Sequence, residues 1–169
     1  APFSDSGRVL VFHGSATGPA VAPDWSARST QSPAEIGAAV AGAGDVDGDG
    51  YADVVVGAPK LGDASQPAEG QIRVFTGGPH GLAQGWAWSA EGQQANALLG
   101  VAVAGAGDVN GDGLADVVAG GTGFDDPAIF NIQVGAVLVY QEGVVPRDGT
   151  CDGFDDDGDG SIDEDYVPV

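Results

Sequence analysis

The sequence predicts an all-β fold made of four-stranded antiparallel units. Three observations predict it. Motifs recur at a spacing of about 63 residues, apolar residues occur in short runs or alternate as in strands, and the 169 residues include 30 Gly and 10 Pro, which favour turns. No apolar stripe with the period of a helix is long enough to matter, and only residues 32–36 have the pattern of a single helical turn.

The strands are predicted in chain order from this pattern. Two lie near the N-terminus, at 7–13 and 24–28, and three lie between residues 100 and 140. Between them is a complete unit, whose four strands are predicted at 38–44, 53–58, 71–76 and 85–91. The prediction is therefore two, four and three strands, or about two and a half units.

The repeat also predicts the domain boundaries. The segment Gly7-Arg-Val-Leu-Val-Phe12 recurs at 70–75 and again, with Tyr in place of Phe, at 135–140. We expect a repeat region over residues 1–143 and a separate acidic tail over 144–169. The repeats are predicted at about 7–69 and 70–134, with the first strand of a third at 135–141.

Two nine-residue loops, 45–53 and 108–116, share one plan. Each has an oxygen-bearing side chain at positions 1, 3, 5 and 9 and Gly at positions 4 and 6. This spacing turns alternate side chains inward, a backbone carbonyl at position 7 adds a ligand, and glycines permit the tight path. Oxygen ligands on a flexible loop favour Ca²⁺ over Mg²⁺ and over softer metals. The alternative is two acidic turns that carry solubility and bind nothing.

A third copy of the spacing lies in the tail, at 155–163. It has Gly160 at position 6 and an apolar Ile162 at position 8, which favours a real cation site. No apolar strand follows it, so the alternative is a disordered acidic tail. The third predicted site comprises Asp155, Asp157, Asp159, Ser161 and Asp163.

Charge and composition limit the partners and the compartment. Five Lys and Arg against 25 Asp and Glu give a net charge of −20, which excludes nucleic acid and anionic membrane as natural partners. No segment has the roughly 18 apolar residues of a bilayer span, so we expect no membrane insertion. Calcium loops suit an extracellular setting, and the absence of a basic, apolar leader fits a matured secreted protein. The single Cys151 is expected to be an unpaired thiol, with pairing to another chain left open.

The loops and their flanks resemble the FG-GAP repeat, the blade unit of integrin α-subunit β-propellers. The resemblance covers roughly residues 7–141 and is strongest in 37–59, which ends in Gly-Ala-Pro, and in 100–120. Ile36 and Leu99 replace the aromatic residue of the family's leading Phe-Gly. The resemblance implies propeller-type blades and a calcium ligand set of Asp45, Asp47, Asp49, Asp53 and the Tyr51 carbonyl in the first loop, and Asp108, Asn110, Asp112, Asp116 and the Leu114 carbonyl in the second.

The tail is similar to a second known motif. Residues 151–164 resemble an Asp-rich metal-binding motif of secreted bacterial proteins, which usually has a second Cys. Gly158 occupies that place, so this chain cannot form the internal disulfide.

The strand count departs from the family, whose integrin-type propellers close with seven blades. Unpaired edges are expected at both ends of the repeat region, and natural proteins normally cover such edges. A fragment of a larger propeller, a closed ring of subunits and an open head-to-tail filament would each resolve them.

We therefore expect an extracellular, calcium-binding structural or adhesive protein that self-assembles through its edge strands. The alternative is a module that binds a protein or polysaccharide ligand and belongs to a larger surface protein or enzyme. No catalytic role is expected, because His13 and His80 have no Ser or Cys nucleophile motif beside them. Trp25 and Trp88, at equivalent repeat positions, are expected to pack between blades, whereas the position of Trp86 fits either packing or ligand stacking.

Overall fold

The computed structural model describes residues 6–125 and 133–141, and every regular element in them is a strand. The strands are β1 (Arg8–Val11), β2 (Gly14–Ser15), β3 (Gly18–Pro19), β4 (Trp25–Arg28), β5 (Ala39–Gly44), β6 (Asp53–Ala58), β7 (Gln71–Phe75), β8 (Trp88–Glu91), β9 (Ala102–Gly107), β10 (Asp116–Gly121) and β11 (Ala136–Tyr140). The predicted all-β class is confirmed.

The strands form consecutive antiparallel sheets in chain order. The complete blade has the order β5-β6-β7-β8, preceded by the pair β1-β4 and followed by the three-stranded sheet β9-β10-β11. This arrangement reproduces the predicted two, four and three strands. A small additional hairpin, β2-β3, joins β1 to β4.

Most strand ends lie within two residues of the expected positions, and two details differ more. The outer strand of the complete blade begins at Trp88 rather than at Gly85, and residues 32–36 form turns and a bridge instead of a helical turn. Both differences lie at Gly- or Pro-containing boundaries. Gly and Pro interrupt regular backbone hydrogen bonding, and the alternation of apolar residues does not reveal where that interruption falls.

The core lies between successive sheets. Neighbouring residues of β6 point to opposite sides: Val56 belongs to a cluster with Val9 and Trp25 of the first sheet, whereas Val55 packs with Leu99 and other residues facing the third. This alternation explains why β6 is a continuous apolar run, since both of its faces are covered.

Two aromatic pairs connect the sheets at equivalent places. The Trp25 ring meets the Phe75 ring edge-on with centroids 4.9 Å apart, and Trp88 meets Tyr140 in the same way at 5.0 Å. Edge-to-face contact is a favoured geometry for aromatic rings. The expected packing of Trp25 and Trp88 between blades is therefore observed.

The repeat glycines that precede β1 and β7 allow a close backbone approach. Gly7 and Gly70 form parallel bridges with Ile36 and Leu99, and both glycines have positive φ, of 75° and 80°. A Cβ at residue 70 would collide with the backbone of Leu99. Ile36 and Leu99 themselves are buried, as expected if they replace the aromatic residue of the family by packing in its place.

Compared with β7, their equivalent in the complete blade, two strands lack a neighbour in the described part of the chain. There β1 pairs only with β4, and β11 pairs only with β10. Within the same residues, no helix has the length and apolarity that a membrane crossing would require.

Candidate calcium-binding loops

The first candidate site is the loop that joins β5 to β6. Carboxylate oxygens of Asp45, Asp47 and Asp49 lie within 4.8 Å of one another, at the mouth of the hairpin. The loop closes this tightly because Gly48 and Gly50 have φ values of 76° and 88°, which side chains other than that of Gly adopt only with strain. Three oxygens at this spacing are suited to one hard cation.

Backbone N–H groups hold these carboxylates in place. The Asp45 carboxylate accepts hydrogen bonds from the backbone N–H groups of Asp49, at 3.1 Å, and Gly50, at 2.9 Å. Asp47 Oδ1 accepts from the N–H of Asp49 at 3.2 Å, and Asp49 Oδ1 accepts from the N–H of Tyr51 at 2.8 Å. Each carboxylate can accept about four hydrogen bonds or ligand contacts. The oxygens are thus oriented by the loop and keep capacity for a cation.

The second loop, between β9 and β10, repeats this scaffold. The Asp108 carboxylate accepts from the backbone N–H groups of Asp112 and Gly113 at 3.1 Å and 2.9 Å, the same distances as in the first loop. Asp112 Oδ1 accepts from the N–H of Leu114 at 2.8 Å, and Asn110 Oδ1 accepts from that of Asp112 at 3.0 Å. The predicted residues at positions 1, 3 and 5 therefore have the same placement in both loops.

Position 3 makes the two loops chemically different. Asn110 replaces a carboxylate with an amide, whose Nδ2 donates to Asp112 Oδ2 at 2.7 Å. The second loop consequently has one negative charge fewer. Fewer ligand charges weaken the binding of Ca²⁺, so we expect this loop to be the weaker of the two.

Position 9 has a different environment from the other three. Asp53 is buried, and its two oxygens accept from the backbone N–H groups of Val46, at 2.7 Å, and Gly77, at 2.6 Å. In the second loop, Asp116 Oδ2 accepts the corresponding hydrogen bond from the backbone N–H of Val109 at 2.7 Å. The buried Oδ1 of Asp116 has no hydrogen-bond partner among the residues described. The buried Asp53 carboxylate thus joins the start of its loop, at Val46, to the segment that follows β7, at Gly77.

The proximity of the carboxylates is visible in the electrostatics. Desolvation raises the pKa of Asp47, and the charges of Asp49, Asp53 and Asp45 raise it further, in that order, against the lowering effect of the Asp49 N–H. The desolvation and the three neighbouring charges oppose a negative charge at Asp47, whereas the Asp49 N–H favours it. A divalent cation between the carboxylates would relieve the repulsion among them.

The first loop also contacts the following blade. The N–H of Ala115 donates to the backbone carbonyl of Asp45 at 2.9 Å, and the Leu114 side chain lies against Gly48. Val46, inside the first loop, is 1% exposed, whereas its counterpart Val109 is 54% exposed. The first loop is therefore part of the joint between two blades, a difference between the loops that their nearly identical sequences do not indicate.

The remaining predicted site residues lie elsewhere. The third loop (Asp155, Asp157, Asp159, Ser161 and Asp163) and Cys151 lie outside the described residues. His13 lies in a surface loop, where its backbone N–H donates a hydrogen bond to Asp24 Oδ2 at 2.8 Å. The Arg73 guanidinium lies 4.1 Å from the centroid of the half-exposed Trp86 ring, so a cation already covers one face of that ring.

Comparison with known proteins identifies the repeat. Residues 37–75, from two residues before β5 to the end of β7, match the family described as FG-GAP repeat. Integrin alpha-5 of Xenopus laevis is 31% identical over 125 residues, which are 69% of this chain and 12% of that protein. Integrin alpha-IIb of Homo sapiens is 29% identical over 155 residues, which are 88% of this chain and 14% of that protein.

A third relative, integrin alpha pat-2 of Caenorhabditis briggsae, is 33% identical over 123 residues, covering 70% of this chain and 10% of the relative. The chain thus spans between 10% and 14% of the length of these three integrin α proteins. With the consecutive antiparallel sheets and the duplicated acidic hairpin loops, these matches show that the chain is built from FG-GAP repeats of the integrin α type.

Proposed function

We propose that this chain is a calcium-stabilised β-propeller-type module with a structural or adhesive role outside the cell. The observation that carries the proposal is the duplicated loop, in which three carboxylates converge in the first copy and the second copy repeats their hydrogen bonds to the backbone. Nitrogen and sulfur ligands do not take part, which favours Ca²⁺. The ligands would be the side chains of positions 1, 3, 5 and 9 and the carbonyls of Tyr51 and Leu114, with a third ion in the tail loop.

Calcium would act on the loops by neutralising charge. In the first loop three carboxylates lie within 4.8 Å, and their mutual repulsion opposes the folded hairpin. A bound cation converts this repulsion into attraction. It stabilises the folded state by an amount that rises with the logarithm of the free cation concentration, about 2.7 kcal/mol at one hundred times Kd. The backbone carbonyl of Asp45 also accepts a hydrogen bond from the N–H of Ala115 in the next blade. An ion that fixes Asp45 would therefore stabilise the joint between the blades as well as the hairpin.

The adhesive role and the extracellular location rest on the relatives and on charge. The three relatives carry the name integrin alpha. Calcium is plentiful enough outside the cell to fill weak oxygen sites. The carboxylates that converge belong to the first loop. Because they would hold a cation there, they are unsuited to acid–base chemistry. We therefore propose a non-enzymatic protein that acts by binding and assembly.

Thermal unfolding tests the calcium proposal. We expect millimolar Ca²⁺ to raise the Tm of the wild-type chain by several degrees relative to EDTA, since about 1 kcal/mol shifts Tm by roughly 2–4 °C in domains of this size. Asp49→Ala and Asp112→Ala, at matched positions of the two loops, should each remove part of the shift. Asp125→Ala, which removes an exposed carboxylate outside both loops, should retain all of it. Equal Tm values with and without calcium in the wild-type chain would refute the proposal.

We further propose that the chain self-associates through its blade edges. The support is the unpaired side of β1 and of β11 in the described residues, together with the exposure of Val137 and Val139 on β11, at 73% and 52%. An unpaired edge strand is a template for addition of a strand from another copy, as a ring or as a head-to-tail filament.

Light scattering tests this self-association. We expect a molar mass well above the monomer's 16.7 kDa in millimolar calcium, and a smaller mass after chelation, because the calcium loops hold the blades that supply the edges. Val139→Lys should reduce the mass at unchanged calcium, since charged residues discourage edge pairing. A 16.7 kDa monomer in both conditions would exclude self-association and leave the calcium proposal standing.

A further inference from the structure

Two arginines face each other on the first sheet. In the antiparallel register of β1 and β4, Arg8 is the direct partner of Arg28, which places both side chains on one face of the sheet. Side chains directly opposite in this way have Cβ atoms about 5 Å apart, and like charges there are destabilising. The chain has only five Lys and Arg residues in all, so the pairing of two of them is unexpected.

The next repeat shows what this position otherwise holds. The corresponding partners on β7 and β8 are Gln71 and Glu91, whose side chains are joined by a hydrogen bond from Gln71 Nε2 to Glu91 Oε1 at 2.9 Å. That pair satisfies itself without a ligand. Arg8 and Arg28 have donors only, so neither can accept a hydrogen bond from the other.

Neither arginine forms an ion pair with an acidic residue in the described part of the chain. The ion pairs found there join His13 to Asp24 and Lys60 to Glu35. The 25 acidic residues of the chain supply many carboxylates, yet within the described residues none lies within 4.0 Å of either guanidinium. Among the described residues, the two positive charges thus have no carboxylate partner.

Both arginines line the same cavity. It has a volume of about 190 Å³ and is lined by Ser6, Gly7, Arg8, Arg28, Ser29 and Thr30. The buried Ser29 hydroxyl accepts the N–H of Gln31 at 3.0 Å, and it keeps its own hydrogen for donation. The cavity therefore combines two guanidinium groups with hydroxyl donors and has room for a group the size of one sugar ring.

We propose that this cavity binds the carboxylate of a small anionic ligand of sugar-acid size, with Arg8 and Arg28 as the charged donors and Ser29 and Thr30 as neutral ones. Guanidinium groups recognise carboxylates through paired, charge-assisted hydrogen bonds. The net charge of −20 disfavours a long polyanion, because only the group inside the cavity meets positive charge while the rest meets repulsion. The site lies apart from the calcium loops, and each proposal survives the failure of the other.

The test is an NMR titration of the full chain in saturating calcium with sodium glucuronate as the probe. The observed signals are the backbone amides of Ser29 and Thr30 and the Nε–H groups of the arginines. We expect saturable shifts with glucuronate and none with glucose, which has no carboxylate, or with sodium chloride at the same ionic strength. Shifts that grow linearly, or that glucose reproduces, would overturn the proposal.

Matched variants identify the donors. Arg8→Gln should weaken glucuronate binding by about tenfold or more, as expected for loss of a charge-assisted hydrogen bond. Lys60→Gln, which removes the same charge at a site away from the cavity, should leave it unchanged. The double variant Arg8→Gln/Arg28→Glu rebuilds the Gln71–Glu91 pair, so it should fold at least as stably as wild type and show no saturable shift. Wild-type affinity in Arg8→Gln or in the double variant would contradict the assignment.

Discussion

Trp25→Ala is expected to lower the free energy of unfolding by about 4 kcal/mol, the range found for replacing a buried large aromatic residue by Ala. Trp25 is 4% exposed, its ring packs edge-on against Phe75 of the next blade, and its Nε1 donates to the carbonyl of Ala83 at 2.8 Å. The substitution would leave a cavity between two sheets and remove that hydrogen bond. Urea unfolding in millimolar calcium measures the loss.

Trp86→Ala is the matched control for this variant. Trp86 is 50% exposed and its contact is with the Arg73 guanidinium, so its removal should cost less than about 1 kcal/mol. If the two variants lose the same stability, the blades are not held together by the packing between their faces, and the described architecture is wrong.

Asp53→Ala is expected to destabilise the chain by about 3 kcal/mol, even in excess calcium. Both carboxylate oxygens accept backbone hydrogen bonds, one from Val46 in the loop and one from Gly77 after β7. Hydrogen bonds to a charged group are worth about 1.5–3 kcal/mol each, and their loss leaves N–H groups without a partner. Urea unfolding with and without EDTA separates this loss from any loss of calcium binding.

Two comparisons sharpen that result. Asp49→Ala changes an exposed carboxylate of the same loop, so in EDTA it should cost much less stability than Asp53→Ala. Asp116→Ala should also cost less, because only one oxygen of Asp116 has a hydrogen-bond partner among the described residues. An Asp53→Ala chain as stable as wild type in EDTA would show that Asp53 does not close the loop in the way the structure indicates.

The features that recur in the sequence were predictable from it. The strands of the complete blade follow from short apolar runs and alternation, and the two acidic loops follow from identical ligand spacing at equivalent repeat positions. The packing of Trp25 and Trp88 was also predictable, because two large residues at one repeat position are expected to share one environment. In each case the duplication supplied the information that a single segment lacks.

The features that depend on tertiary contacts could not be predicted. The β2-β3 hairpin has two residues in each strand, too few to show a period. Asp53 has the same residue type as Asp45, and its burial and its hydrogen bond from Gly77, which follows β7, arise only in the folded chain. The different exposure of Val46 and Val109 depends on which blade covers each loop. The opposition of Arg8 and Arg28 needs the register of β1 and β4, although alignment with Gln71 and Glu91 offered a signal for it.

Calcium titration by isothermal calorimetry tests the central claim most directly, because it counts the ions. We predict three sites in the wild-type chain, two in each of Asp49→Ala and Asp112→Ala, and one, in the tail loop, in the double variant. Circular dichroism would establish that each variant keeps its strands. The same number of calcium ions bound by the wild type and by the double variant would contradict the account, since the two loops between the strands would then not be calcium sites.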